Sequence, residues 1–291
     1  MKRILLLLLF GLGLSFAKAQ TPITVDDTQT VQQLIDDILV VGNCAEVNNV
    51  TSPNNSIIGG ETWNSFGAFD GTTSTPTFPF DEGIVLATNG IDEVVDPNAF
   101  QGGGLGWTGD TDLEALINQP GNTNNATIIE FDFIPFVDQI SFNYLLASNE
   151  WPTFVCDYAD TFAFILSGPG IPDVNDYNHD ANPNTPDLSL DLGGLNIALI
   201  PGTNIPVNPT NIHDLSTTCP AGDLGEFAVP QLFDSSANND GTTTYNGRTV
   251  PLTATAQVIP GQTYNIKLAI ADRGDTAFDS AVFLESASFD L

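Results

Sequence analysis

The stretch YNIKLAI, residues 264–270, alternates apolar and polar side chains with a period of two, a pattern that suits a strand with one buried face and no helix. It sets Tyr264, Ile266, Leu268 and Ile270 on one side. A second strand returns at SAVFLES, residues 280–286, with Val282 and Leu284 on one face and Ala281 and Phe283 on the other. Comparable runs occupy residues 83–90, 127–135, 139–148, 161–168, 195–202 and 249–258. Turns rich in Gly, Pro and Asn separate them, Pro260-Gly261 among these, and helices mostly do not intervene. The pattern predicts an all-β chain: a jelly-roll-like two-sheet β-sandwich with two short peripheral helices and long loop insertions.

The first helix is marked by Thr30 and Gln33, which fit a capping box, and by Val31, Leu34, Ile35, Ile38 and Leu39 at core-facing spacing up to Gly42. The second is expected over residues 111–118, capped by Asp110, striped by Leu113, Leu116 and Ile117, and stopped by Pro120. Residues 173–187 are the longest polar interruption and read as a solvated loop, with extra cation binding as the rival reading.

Residues 1–19 form a leader: Lys2 and Arg3, an apolar run to Phe16, then the small-x-small site Ala17-Lys18-Ala19. A single domain is expected over 20–291, secreted or at the cell surface, with no integral membrane segment in the mature chain. Removing the leader leaves three basic residues, Arg248, Lys267 and Arg273, against 36 acidic ones, a formal charge of −33. Such a surface repels nucleic acid and anionic membranes and attracts divalent cations. Disorder is opposed by a hydrophobic content of 42% with 19 Phe, enough for a core. Of the three cysteines, Cys156 and Cys219 lie in polar loops and are the preferred disulfide; Cys44, at the end of the first helix, is then left over, a candidate for a buried apolar position, and its state stays open.

Between the last two strands lie Asp272, Asp275 and Asp279, three carboxylates within eight residues. The segment SNEWPTFVCDYADTFAF, residues 148–164, adds Glu150, Asp157 and Asp160, with Asn149 as a neutral oxygen donor. A sandwich can bring both loops together. Glu150, Asp160, Asp272, Asp275 and Asp279 would then hold one Ca²⁺, which takes about six to eight hard oxygen ligands. Mg²⁺ keeps more of its own water, and Zn²⁺ wants thiolate or imidazole ligands that are missing here. The alternative is a solvated acidic turn.

At these residues the sequence resembles a known family. The runs LLASNEWPTFVCDYADTFAFILSGPG, LNIALIPGT and TVPLTATAQVIPGQTYNIKLAIADRGDTAFDSAVFLESASF are similar to the choice-of-anchor L domain, as are FPFDEGIVLATNG, GDTDLEALI and the helix with GNCAEVNNV upstream. The resemblance spans about residues 28 to 289 and implies an exported bacterial surface protein, Bacteroidetes-like, with adhesion or surface-layer roles. The family's S-E-E-Y strand exit is Ser148-Asn149-Glu150-Trp151 here, and its N-D is Ala159-Asp160. The run A-D-x-x-D-x-x-x-D-S is intact at Asp272, Asp275, Asp279 and Ser280. The family's variable anchor region has no counterpart after Phe289, so covalent or membrane attachment is not expected.

The expected function is a calcium-stabilised binding or adhesion module, with carbohydrate among its candidate ligands. Trp63, Trp107 and Trp151 lie in Gly/Asn-rich settings where indole rings stack on sugars. Trp107 and Trp151 are the candidate ligand-binding pair, although packing at a sheet edge accounts equally for Trp151. Candidate partners are a glycan, a surface protein or further copies of the chain. The rival reading is a structural component of a surface layer or filament. A glycoside hydrolase using a carboxylate pair is the lesser alternative. His179 and His213 lack metal-ligand spacing, no HExxH, GxSxG or phosphate loop occurs, and the chain is not expected to be an enzyme.

Overall fold

A computed structural model describes residues 20–41, 45–53, 56–58, 61–96, 106–214, 219–221 and 225–289. The expected leader, Cys44, the glycines at 102–104 and the side chain of Trp63 lie outside the described residues. The first eight strands are β1 (Thr24–Asp26), β2 (Ala45–Thr51), β3 (Ser56–Ile58), β4 (Glu61–Trp63), β5 (Phe66–Asp70), β6 (Glu82–Ala87), β7 (Thr123–Pro135) and β8 (Gln139–Ser148). There follow β9 (Thr161–Ser167), β10 (Val174–Tyr177), β11 (Leu188–Asp191), β12 (Leu195–Asn196), β13 (Gly247–Arg248), β14 (Leu252–Gln257), β15 (Tyr264–Arg273) and β16 (Ser280–Glu285). One sheet has the order β1-β5-β6-β16-β8-β13, with β14 also on β8; the other runs β12-β9-β15-β7-β2. Every pairing between these strands is antiparallel.

The two sheets enclose a core that includes Tyr264, Ile266, Leu268, Ile270, Val282 and Leu284, the faces that strand alternation assigns inward. Ala281 and Phe283 point the other way and are buried too, with Phe69, Phe78 and Val85, on the outside of the larger sheet. Ala269 and Ala271 pack outside the smaller sheet against Leu113, Leu116 and Tyr177. Central strands covered on both faces explain why β6, β9 and β16 read as almost unbroken apolar runs.

The capping box at Thr30 forms: the Gln33 N–H donates to Thr30 Oγ1, and the Thr30 N–H donates to Gln33 Oε1 at 2.9 Å. Only α1 (Val31–Gln33) is α-helical, however; the chain then widens into a π-helix, Leu34–Leu39, with Val40 N–H donating to Ile35 O. The wider turn stacks residues five apart, so the pairs Leu34/Leu39 and Ile35/Val40 are buried while Ile38 is only half-buried. Helix α2 (Thr111–Leu116) carries the expected Asp110 cap. Among the described residues, no helix is long and apolar enough to cross a membrane.

Two expectations are corrected. The strand at 195–202 shrinks to β12, because buried Asn196 turns its Oδ1 to accept from the backbone of Phe164 and Ala198, replacing the strand ladder. The polar insertion is no free loop. It forms the β10–β11 hairpin, anchored by buried Tyr177, whose hydroxyl accepts from the Asn196 N–H.

Candidate metal centre

Four strand ends meet at one end of the sandwich. In the larger sheet Ser148 of β8 lies opposite Ser280 of β16. In the smaller sheet Thr161 of β9 lies opposite Ala271 of β15. The chain crosses between sheets twice here, from β8 to β9 and back from β15 to β16. Glu150 and Asp160 stand at the two ends of the first crossover, and Asp272 and Asp279 bracket the second. The segments distant in sequence therefore converge, as the two-loop reading requires.

Asp272 follows Ile270 by two residues on an inward face, so it continues the core-facing row past the last apolar side chain. A bulge separates the β15–β7 register at this point, with Ile270 opposite Thr127 and Asp272 opposite Asn124. The extra residue falls on β7, where Asn125 adopts φ 50°, a left-handed conformation that asparagine tolerates better than most residues. Its Nδ2–H donates to Asp272 Oδ2 at 2.7 Å. Asp160 Oδ1 accepts from the Arg273 backbone N–H at 3.2 Å, and Asp279 Oδ2 accepts from Asn89 Nδ2 at 3.3 Å.

Each of these carboxylates is buried, yet no donor meets Glu150 Oε2, Asp160 Oδ2 or Asp272 Oδ1 in good hydrogen-bond geometry. The Ser280 and Thr88 hydroxyls lie close enough to Asp160 and Asp272 only to favour their ionised forms against the larger effect of burial. Asp275 differs: it is exposed and accepts from the Ala277 N–H through Oδ1 at 2.9 Å. Burial, reinforced by repulsion from Asp160, Asp275 and Asp279, pushes the Glu150 carboxyl up to about 10. Burial, followed by the charge of Glu93, raises Asp279 to about 7. Asp160 and Asp272 are held well above the usual carboxylate range, again chiefly by burial.

The three cations of residues 20–291 relieve this only weakly. Lys267 pairs with Asp110 and Asp112, and Arg248 with Asp234 and Asp240. Arg273 turns its guanidinium away from Asp272, its Nε to Gln119 Oε1 and its Nη1 to Thr210. Arg273 still attracts Glu150 and Asp160 at longer range, but it forms no ion pair with them, and burial outweighs it. One distant cation against four buried carboxyls leaves a set of oxygens that fits a hard cation. Among the described residues no three His, Cys, Asp or Glu side chains form a ready-made ligand group. An ion would therefore also draw on neutral oxygens, of which Ser280 Oγ is the nearest in sequence.

The sequence profile of the choice-of-anchor L domain matches residues 23–290. The chain belongs to the choice-of-anchor L domain family. No curated protein and no solved structure matches it. In this choice-of-anchor L domain the family run from Asp272 to Ser280 is the second crossover, and Ser148 to Trp151 opens the first.

Other predicted site residues are sorted by burial. Trp151 is 1% exposed, donates Nε1–H to Ile212 O at 2.8 Å and packs on Phe233, so it is a core ring with no face for a ligand. Trp107 is half-buried, its Nε1–H bonded to Ala126 O, beside exposed Gly106. Asn149 spends its Oδ1 on the Asn246 N–H instead of facing a cation. Cys156 and Cys219 form a disulfide. Sequence reasoning missed Asn125 and Asn89; asparagine at the start of an otherwise β-forming run was the available signal for the former.

Proposed function

We propose that this choice-of-anchor L domain is a calcium-stabilised binding module displayed outside the cell, with Glu150, Asp160, Asp272, Asp275 and Asp279 as the metal's acidic residues. The observation that carries this reading is the set of unpaired oxygens on Glu150, Asp160 and Asp272, all three nearly sealed from water. An unpaired buried carboxylate oxygen is costly unless protonated or matched by a cation. Calcium accepts irregular sets of oxygens from separate loops, and here it would bind both crossovers to one another. The same sealing speaks against a glycoside hydrolase, since a sugar ring has no approach to those atoms. Adhesive contact falls to exposed loops, with half-buried Trp107 as the candidate glycan platform.

The test is elemental analysis of the purified mature chain, with thermal melts in calcium and in EDTA. Stoichiometric calcium and a lower melting temperature in EDTA are expected. Metal-free protein with a melt indifferent to calcium and EDTA overturns the reading.

A further inference from the structure

The crossover that carries Glu150 and Asp160 is tied on one side to Phe278 and Asp279 of the second crossover, and on the other to a separate part of the chain. Trp151 donates to Ile212 O and packs on Phe233. Asn149 is held twice by Asn246, which donates its N–H to the Asn149 side chain and its Nδ2–H to the Asn149 carbonyl at 2.8 Å. Midway between the two carboxylates sits Cys156, bonded to Cys219 across a sequence separation of 63. The anchors on that part lie within residues 212–246, where the described residues form short 3-10 turns before β13. The disulfide is their one covalent member, and both of its cysteines are half-buried.

We propose that the Cys156–Cys219 disulfide sets the calcium affinity of this end of the sandwich, so that an external thiol reductant releases the metal. The inference rests on the calcium reading above. Glu150 and Asp160 repel one another and must be held together before a cation arrives; a tethered crossover has less freedom to lose on binding than a cut one. Reduction opens the tether without touching a ligand. A dithiol transfers two electrons and two protons to the Sγ–Sγ bond, leaving two cysteine thiols and its own cyclic disulfide. Because coupling is reciprocal, bound calcium must oppose reduction by the same factor by which reduction weakens calcium.

The experiment uses the full mature chain carrying Cys44→Ser, which keeps the third thiol out of exchange. Calcium alone is titrated into oxidised protein and into the Cys156→Ser/Cys219→Ser variant. Separately, the disulfide is equilibrated with reduced and oxidised dithiothreitol, with and without calcium, and trapped by alkylation. The expected results are a Kd weakened about tenfold in the variant and a reduction equilibrium shifted about tenfold toward the disulfide by calcium. Should the variant fail to fold, the redox equilibrium decides alone. Equal reduction with and without calcium overturns the inference while leaving calcium binding itself intact. Failure of the oxidised chain to bind calcium removes both readings.

Discussion

Asn125 holds Asp272 across the β7–β15 bulge, its Nδ2–H 2.7 Å from one carboxylate oxygen while the other is left unpaired. The same asparagine accepts the Trp107 N–H through Oδ1 at 2.8 Å, so one side chain joins the acidic centre to the candidate ligand loop. Asn125→Ala removes both bonds and places a Cβ-branched-free but less tolerant residue at positive φ. The expected loss is about 2 kcal/mol, within the range for a hydrogen bond to a charged group. Urea unfolding in calcium measures it; an unchanged midpoint would show that the bulge holds Asp272 without this amide.

Asp272 and Asp275 are separated by their surroundings. Asp272 is buried with an unpaired oxygen, whereas Asp275 is exposed and already occupied by the Ala277 N–H. Asp272→Asn should therefore weaken calcium binding more than Asp275→Asn, by about tenfold or more, since loss of a buried charged ligand exceeds loss of a screened one. Without calcium the order inverts: Asp272→Asn removes a buried carboxyl whose ionisation is opposed by burial and by its acidic neighbours, and should raise the melting temperature in EDTA. Calorimetric titration and paired melts check both halves. Equal effects of the two substitutions would place Asp272 outside the metal's shell.

The pH response carries a definite sign. Asp279 at about 7 and Glu150 at about 10 stand above ordinary unfolded carboxylates, so the calcium-free folded state binds more protons than the unfolded one. Stability from these groups is fully present below their unfolded pKa values and is lost as pH rises through about 7 and on toward 10. In EDTA the urea midpoint should fall between pH 5 and pH 9. Calcium displaces those protons, so the gap between calcium and EDTA curves should widen over the same window. A midpoint in EDTA that climbs with pH would contradict the assignment.

Lys267 secures α2 to the outside of the smaller sheet, its Nζ 2.6 Å from both Asp110 and Asp112. Asp110 is also the cap of that helix, accepting from the Asp112 and Leu113 N–H groups. Lys267→Ala leaves buried Asp110 without its cation. The expected cost is about 2 kcal/mol, below that of a fully buried pair because Asp112 remains solvated. Lys267→Met, which keeps the apolar stem, should recover part of it. Denaturant midpoints compare the two; identical losses would assign the whole effect to charge.

What the sequence determined by itself was everything that depends on neighbours along the chain. Strand alternation placed Tyr264 to Ile270 and Val282 with Leu284 inward, Thr30 and Asp110 marked helix starts, and the polar loops of Cys156 and Cys219 marked the disulfide. The carboxylates at strand exits were legible because a strand's end is also where its side chains leave the core. Tertiary structure alone decided which of them are buried. Asp272 and Asp275 are three residues apart in one motif, yet the bulge beside Asn125 draws the first into the interior and leaves the second in water. Register likewise turned Arg273 toward Thr210 and Gln119, away from the acidic side chains it neighbours in sequence. Packing closed Trp151 into the core and docked the polar hairpin through Tyr177. Burial arises from chain segments up to hundreds of residues apart, and local periodicity carries no record of where those segments come to rest.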